Sequence, residues 1–184
     1  ICYESAWYLL DRIRNAMGQR DSQYLFSGIV ELDDSYVGGH TRNGKRGRGT
    51  DKAKIVVAVS KTDTDVPLFA KMMVVENVKK ETLQIIVDQH FEKKTKVECD
   101  SYQSYLGLKD VEVMPKKYQA GDLHWLHKAI SNLKTFLMGT YHGRCTNLQA
   151  YLDEYCFRFN RRMTGEQIFL RLVRAVATSC SVLS

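Results

Sequence analysis

The order in which hydrophobic periodicities succeed one another constrains this chain most. Residues 28–33 (GIVELD) alternate, residues 54–60 (KIVVAVS) are dominated by β-branched side chains, and residues 67–75 follow a turn through Asp63 to Asp65. Runs of this kind predict strands, and three in succession predict an antiparallel meander. Residues 79–91 then switch to a helical period, with Leu83, Ile86, Val87 and His90 or Phe91 on one face. Short strands are expected at 96–100 (KVECD) and at 111–114 (VEVM), just before Pro115. Helices are expected at 123–138, 145–158 and 165–178, the first two joined through Gly139 and Gly143. An opening helix over 4–17 puts Ala6, Leu9, Leu10, Ile13 and Met17 on one stripe, with Gly18 as its expected stop. Hairpin strands followed by alternating elements predict an α/β fold with a mixed sheet and helices on its faces.

At 184 residues the chain is long enough to bury roughly 70% of its unfolded surface, so it needs no staples. Its five cysteines are an odd number without a C-x-x-C pair, which argues against a disulfide framework or a cysteine zinc knuckle and for reduced thiols in the cytoplasm. No apolar run approaches the roughly 18 residues of a membrane span. Glu4, Asp11, Arg12 and Arg14 break up the start, so it does not read as a secretory signal. The net charge of +6 is distributed unevenly. Residues 42–54 (RNGKRGRGTDKAK) hold Arg42, Lys45, Arg46, Arg48, Lys52 and Lys54 against the single acid Asp51, leaving only +1 for the rest of the chain. Glycines punctuate that segment and allow close backbone approach, so it reads as a loop suited to nucleic-acid phosphates.

Two acids stand at expected strand ends, Asp33 and Asp100. Functional groups in mixed sheets gather at such ends near switches of strand order. Paired carboxylates there suit hard divalent cations, and two such ions can clamp the attacking and leaving oxygens of a phosphoryl displacement. Turn chemistry alone also favours Asp at these junctions. On the helix from Leu123, His127 and Lys134 are seven residues apart and share a face. His127 is a candidate metal ligand or proton shuttle, and Lys134 a phosphate contact. Asp122 is a candidate N-cap, and Trp125, Tyr36 and Tyr105 are expected to pack.

These residues carry a resemblance. Glu31-Leu-Asp33-Asp-Ser-Tyr36-Val-Gly38-Gly39, followed by Gly47-Arg48-Gly49-Thr50, resembles the opening of the ISXO-like insertion-sequence transposases. Glu98-Cys-Asp100-Ser-Tyr-Gln-Ser-Tyr105 is similar to the second motif of that family. Ser131-Asn-Leu-Lys134 with Gly139-Thr-Tyr-His142 is similar to the third, and Tyr151 through Arg161 to the closing helix. The resemblance covers roughly residues 5–175. It implies an RNase H-like sheet, an antiparallel three-strand meander plus parallel strands, with flanking helices. It implies metal-dependent DNA cleavage and strand transfer at insertion-sequence ends. Asp33 matches the first acid and Asp100 the second. Lys134 matches the motif lysine, and the position seven residues before it is His127, so the chain resembles a DDH-K variant of the DDE type.

The same resemblance implies Mg²⁺ or Mn²⁺ as two ions held by Asp33, Asp100 and His127. Imidazole at the third position favours Mn²⁺. Terminal inverted repeats and target DNA are the implied partners, contacted by Arg42, Lys45, Arg46, Arg48, Lys134, Arg158 and Arg161. A homodimer or larger synaptic assembly at the nucleoid is implied, with no membrane. Residues 1–24 are expected to be the end of a truncated DNA-binding region, 25–162 the catalytic domain and 163–184 a C-terminal helix. An RNase H-like nuclease without strand transfer, or an inactive DNA-binding remnant, are the alternatives.

Overall fold

The long strands form where β-branched side chains are densest. A computed structural model, which describes residues 1–38, 52–116, 122–142 and 146–180, has β1 at Ile29–Val37, β2 at Ala53–Lys61 and β3 at Pro67–Val75. β1 pairs antiparallel with β2, and β2 with β3, forming the expected meander. β4 (Lys96–Cys99) lies parallel to β1, and β5 (Glu112–Pro115) parallel to β4. The sheet order is β3-β2-β1-β4-β5. Helix α1 (Tyr3–Ser22) precedes the sheet, α2 (Lys80–His90) joins β3 to β4, and α3 (Gln103–Leu106) joins β4 to β5. Helices α4 (His124–Tyr141), α5 (Leu148–Asn160) and α6 (Gln167–Cys180) follow. This is the mixed sheet with flanking helices that the sequence predicts, an antiparallel three-strand meander plus parallel strands.

The unbroken apolar run in β2 has a simple cause. Its residues Ile55 to Ser60 are all buried, because both faces of the sheet are covered. Ile55, Val57 and Val59 pack with α4 and α5 residues such as Leu126, Leu133 and Leu152. Val56 and Ala58 pack on the opposite side with Leu83, Ile86 and Val87 of α2 and Tyr105 of α3. Alternate β1 residues obey the same rule, Val30 and Leu32 facing the α2 side.

Three boundaries differ from expectation. β1 continues past Asp33 to Val37 because β2 keeps pairing with it, whereas pairing with β4 stops at Leu32 and Cys99. Asp33 is therefore inside one ladder and just beyond the end of another. Asp122 is not the N-cap of α4; Leu123 holds that position in the left-handed region, with no side-chain cap. Gly18 does not stop α1, which runs four residues further. It marks close approach instead: a Cβ there would collide with the Asp153 carboxylate of α5, standing 2.8 Å from its Cγ and 3.3 Å from its Cβ. Gly18→Ala, which favours an open helix by about 1 kcal/mol, is expected here to destabilise by about 1–3 kcal/mol through overpacking. A lower urea midpoint checks this; a raised midpoint would contradict the close approach.

The inward side of α1 also differs from the predicted stripe. Trp7, Tyr8, Leu9 and Leu10 are exposed, and burial begins at Arg14, Ala16, Met17 and Asp21. Met17 meets Phe157 of α5 and Ala175 of α6. Two buried ion pairs fasten α1 to α5: Arg14 Nε to Glu154 Oε2 at 2.8 Å, and Arg161 Nη2 to Asp21 Oδ1 at 2.7 Å. Tyr141 Oη donates to the same Glu154 oxygen at 2.8 Å. Burial alone would raise the Glu154 carboxyl, but Arg14, Tyr141 and Arg158 outweigh it and hold the group below the usual range. Residues 1–24, the expected end of a DNA-binding region, thus supply a helix bound along α5 and α6.

Candidate active site at the β1–β4 junction

Parallel register pairs the residues that directly precede the two expected acids. Leu32 of β1 is the partner of Cys99 of β4, and both side chains point into the α2-side core. One residue further, strand alternation turns Asp33 to the other face, the side of α4, and Asp100 directly follows the last residue of β4, on neighbouring strands that lie about 4.8 Å apart. Both are half-buried. Asp33 Oδ1 accepts the Asp34 N–H at 2.7 Å, and Asp100 Oδ1 accepts the Tyr102 N–H at 3.0 Å. The latter is an Asx turn that ends β4 and fixes the carboxylate. Burial, with added repulsion from Asp100 and Asp33, pushes the Cys99 thiol up to about 12, so both acids act on this one neighbour. Tyr105 is fully buried and its Oη donates to Asp34 Oδ1 at 3.4 Å, the expected packing role.

A second acid pair lies one pleat back on the same face. Glu31 and Glu98 are register partners, and Lys61 Nζ lies 2.9 Å from Glu31 Oε1 and 2.9 Å from Glu98 Oε2. Lys61 also reaches Asp65 Oδ1 at 3.1 Å, and Lys116 Nζ reaches Glu98 Oε1 at 3.1 Å. Burial would lower the Lys61 ammonium, yet Glu98, Glu31 and Asp65 raise it, so it stays charged. Sequence reasoning missed this triad. The signal was present: Glu31-x-Asp33 and Glu98-x-Asp100 repeat one acid spacing on two strands, and an acid in an apolar strand flags a buried partner.

Helix α4 buries Leu126, Ala129, Ile130, Leu133 and Leu137, leaving His127 and Lys134 together on its exposed face. Trp125 packs partly against the core and its Nε1–H donates to the Asp65 carbonyl at 2.8 Å. The helix is tied to β1 through Leu126, whose N–H donates to Glu31 Oε2 at 2.8 Å. Among the described residues no three His, Cys, Asp or Glu side chains are gathered so as to hold a metal ion. Two neighbouring carboxylates still fit Mg²⁺ or Mn²⁺, since Mg²⁺ commonly uses one or two carboxylates with waters and substrate phosphates.

The basic candidates divide. Arg42, Lys45, Arg46 and Arg48 lie outside the described residues. Arg158 is exposed at its tip and pairs with Glu154 at 2.8 Å. Arg161 is in the interior, 5% exposed, with its two Nη atoms on the two Asp21 oxygens. A guanidinium so placed fastens α1 and does not face solvent, which corrects the expectation that it contacts DNA.

A family model, the ISXO2-like transposase domain, matches residues 25–160. The chain belongs to this family. The match spans β1 through α5 and so includes both aspartates, Glu31, Lys61 and His127. No curated protein matches this transposase-family chain. Among solved structures, the Mos1 strand transfer complex is 14% identical, with a TM-score of 0.34, covering 92% of this chain and 61% of that one. The Mos1 mariner paired end complex with Mn is 13% identical, TM-score 0.32, covering 92% and 62%. The catalytic domain of Mos1 mariner transposase is 13% identical, TM-score 0.33, covering 92% of each chain. The chain thus spans about three fifths of the longer Mos1 chains. Among the described residues of this family member, no helix is long and apolar enough to cross a membrane.

Proposed function

We propose that this ISXO2-like domain is the catalytic part of a DDE-type transposase that cleaves DNA at insertion-sequence ends and joins them to target DNA. The observation that supports the reading is that Asp33 and Asp100 each directly follow a member of Leu32–Cys99, the last register pair of two neighbouring parallel strands, within the residues matched to the family. Two in-line displacements make up the reaction. In the first, water forms a bond to a backbone phosphorus as the bond to the 3′ oxygen breaks, and that oxygen leaves as a 3′ hydroxyl. In the second, the hydroxyl attacks a target phosphorus, losing its proton, and displaces a target 3′ oxygen.

Asp33 and Asp100 would hold the divalent cations, with a His127 ring nitrogen completing the set. Bound there, such ions supply charge neutralisation at the transferring phosphoryl group. The chain's own groups do the rest. The Asp34 and Tyr102 amides fix one oxygen of each carboxylate. Lys134, two turns beyond His127, holds a phosphate as a point charge. Arg42, Lys45, Arg46 and Arg48 track the backbone, and exposed Arg158 is a further candidate phosphate contact. Terminal repeats and target DNA are the partners, brought together in a dimer or larger assembly at the nucleoid.

The test is joining of a labelled oligonucleotide, bearing the element's terminal repeat, to plasmid DNA in Mn²⁺ or Mg²⁺. A covalent joined product, lost on adding chelator, is expected. Nicking without joining would favour a nuclease, and no cleavage at all an inactive DNA-binding remnant.

A further inference from the structure

Helix α4 begins without a local cap. Its Ncap residue, Leu123, sits at φ 51° and offers no side-chain acceptor, so the first-turn N–H groups lack the partner a Ser or Asp would supply. The acceptor comes from the sheet instead. Glu31, with no exposed surface, directs Oε2 to the N–H of Leu126, the third residue of the helix, at 2.8 Å. That is the N–H a cap residue ordinarily takes. The other oxygen, Oε1, is held by Lys61 Nζ at 2.9 Å, which fixes the carboxylate from β2. Trp125, one residue earlier, donates its ring N–H to the Asp65 carbonyl, and the Asp65 carboxylate is itself on Lys61. Both attachments of the first turn thus converge on Lys61.

Glu31 is two residues from Asp33 on the same face of β1, and Leu126 is adjacent to His127 in α4. One hydrogen bond therefore links the strand that carries the first acid to the turn that carries the imidazole. We propose that Glu31 is a positioning residue: a buried carboxylate from β1 serves as the N-cap of α4 and holds the helix that carries His127 and Lys134 in place on the strand that carries Asp33. A carboxylate is suited to this place because it also complements the positive end of the helix dipole. Glu31 touches neither DNA nor cation; it acts through Leu126. This inference rests on the transposase reading for its consequence, and on the Glu31–Leu126 contact for its mechanism.

Two variants separate this role from mere packing. In Glu31→Ala, Lys61 keeps Glu98 and Asp65, so no charge is stranded. In Glu31→Gln, a side-chain carbonyl can still accept the Leu126 N–H. In ¹⁵N-labelled protein, the Leu126 amide is expected to shift upfield and to exchange about five- to tenfold faster in Glu31→Ala, as for removal of a cap, and to stay near its wild-type behaviour in Glu31→Gln. In the joining assay, kcat should fall about 10- to 100-fold in Glu31→Ala, the range for loss of supporting contacts, with KM for DNA within about twofold. Glu31→Gln should recover most of the loss. An unchanged Leu126 amide in Glu31→Ala overturns the cap. A lost amide signature with unchanged kcat overturns the positioning role. A wild-type protein that does not cleave DNA sinks the transposase reading, and the Leu126 signature then judges the cap by itself.

Discussion

Asp100→Asn and Asp33→Asn are each expected to lower DNA cleavage and joining at least about a thousandfold, or ~4 kcal/mol of barrier at 1.36 kcal/mol per decade. The substitution is nearly isosteric, and an Asn side-chain oxygen can still accept the Tyr102 or Asp34 N–H, so the local turn survives. What disappears is one of two negative charges at the site, on which affinity for a hard cation depends. DNA binding without added metal should stay the same or tighten, because a negative charge near the phosphates is removed. His127→Ala is expected to cost less, about 10- to 100-fold, because imidazole is a weaker ligand than carboxylate for such ions. Single-turnover rates in Mn²⁺, alongside unchanged circular dichroism, make the comparison. An Asp100→Asn protein that cleaves within tenfold of wild type would remove the aspartate pair from the chemistry. Glu31 and Glu98 cannot substitute for it, because Lys61 already lies between them at 2.9 Å from each.

That the two strands carrying Asp33 and Glu98-Cys99-Asp100 lie side by side was legible, because short runs of strand-forming residues and the order of elements are local information. The meander was legible for the same reason, since β-branched runs separated by turns report on their immediate neighbours. What stayed hidden depends on partners far away in the chain. Glu31 and Leu126 are separated by 95 positions, and Asp21 and Arg161 by 140. Arg161, three residues after Arg158, looks like a phosphate contact until its carboxylate partner on α1 is seen. Gly18 looks like a helix stop until Asp153 is seen across from it. The α1 stripe misled for a related reason: apolar spacing identifies a face but not what covers it, and Leu9 and Leu10 are exposed.

Asp21→Ala is expected to destabilise the protein by about 3–5 kcal/mol, the range for leaving one member of a buried ion pair behind. The carboxylate accepts from both Arg161 Nη atoms, at 2.7 and 3.2 Å, and from Asn160 Nδ2 at 2.8 Å. Their side chains are only 6% and 7% exposed. Without Asp21, the guanidinium keeps the Phe157 carbonyl and the Phe157 ring, 3.6 Å from its carbon, but no countercharge. Asn160 would lose one partner while still bonding both backbone groups of Ala70 on β3. The damage should therefore concentrate at the α1–α5 contact. In a domain of this size the loss corresponds to roughly 6–20 °C in Tm, at about 2–4 °C per kcal/mol. The decisive comparison is the double variant Asp21→Ala with Arg161→Leu. If the cost is the stranded charge, removing the arginine should recover most of the lost stability, because buried pairs replaced by apolar groups are often neutral. If the double variant is as unstable as Asp21→Ala, the loss lies in packing. If Asp21→Ala alone costs under 1 kcal/mol, the pair does not fasten α1 to the rest of the fold.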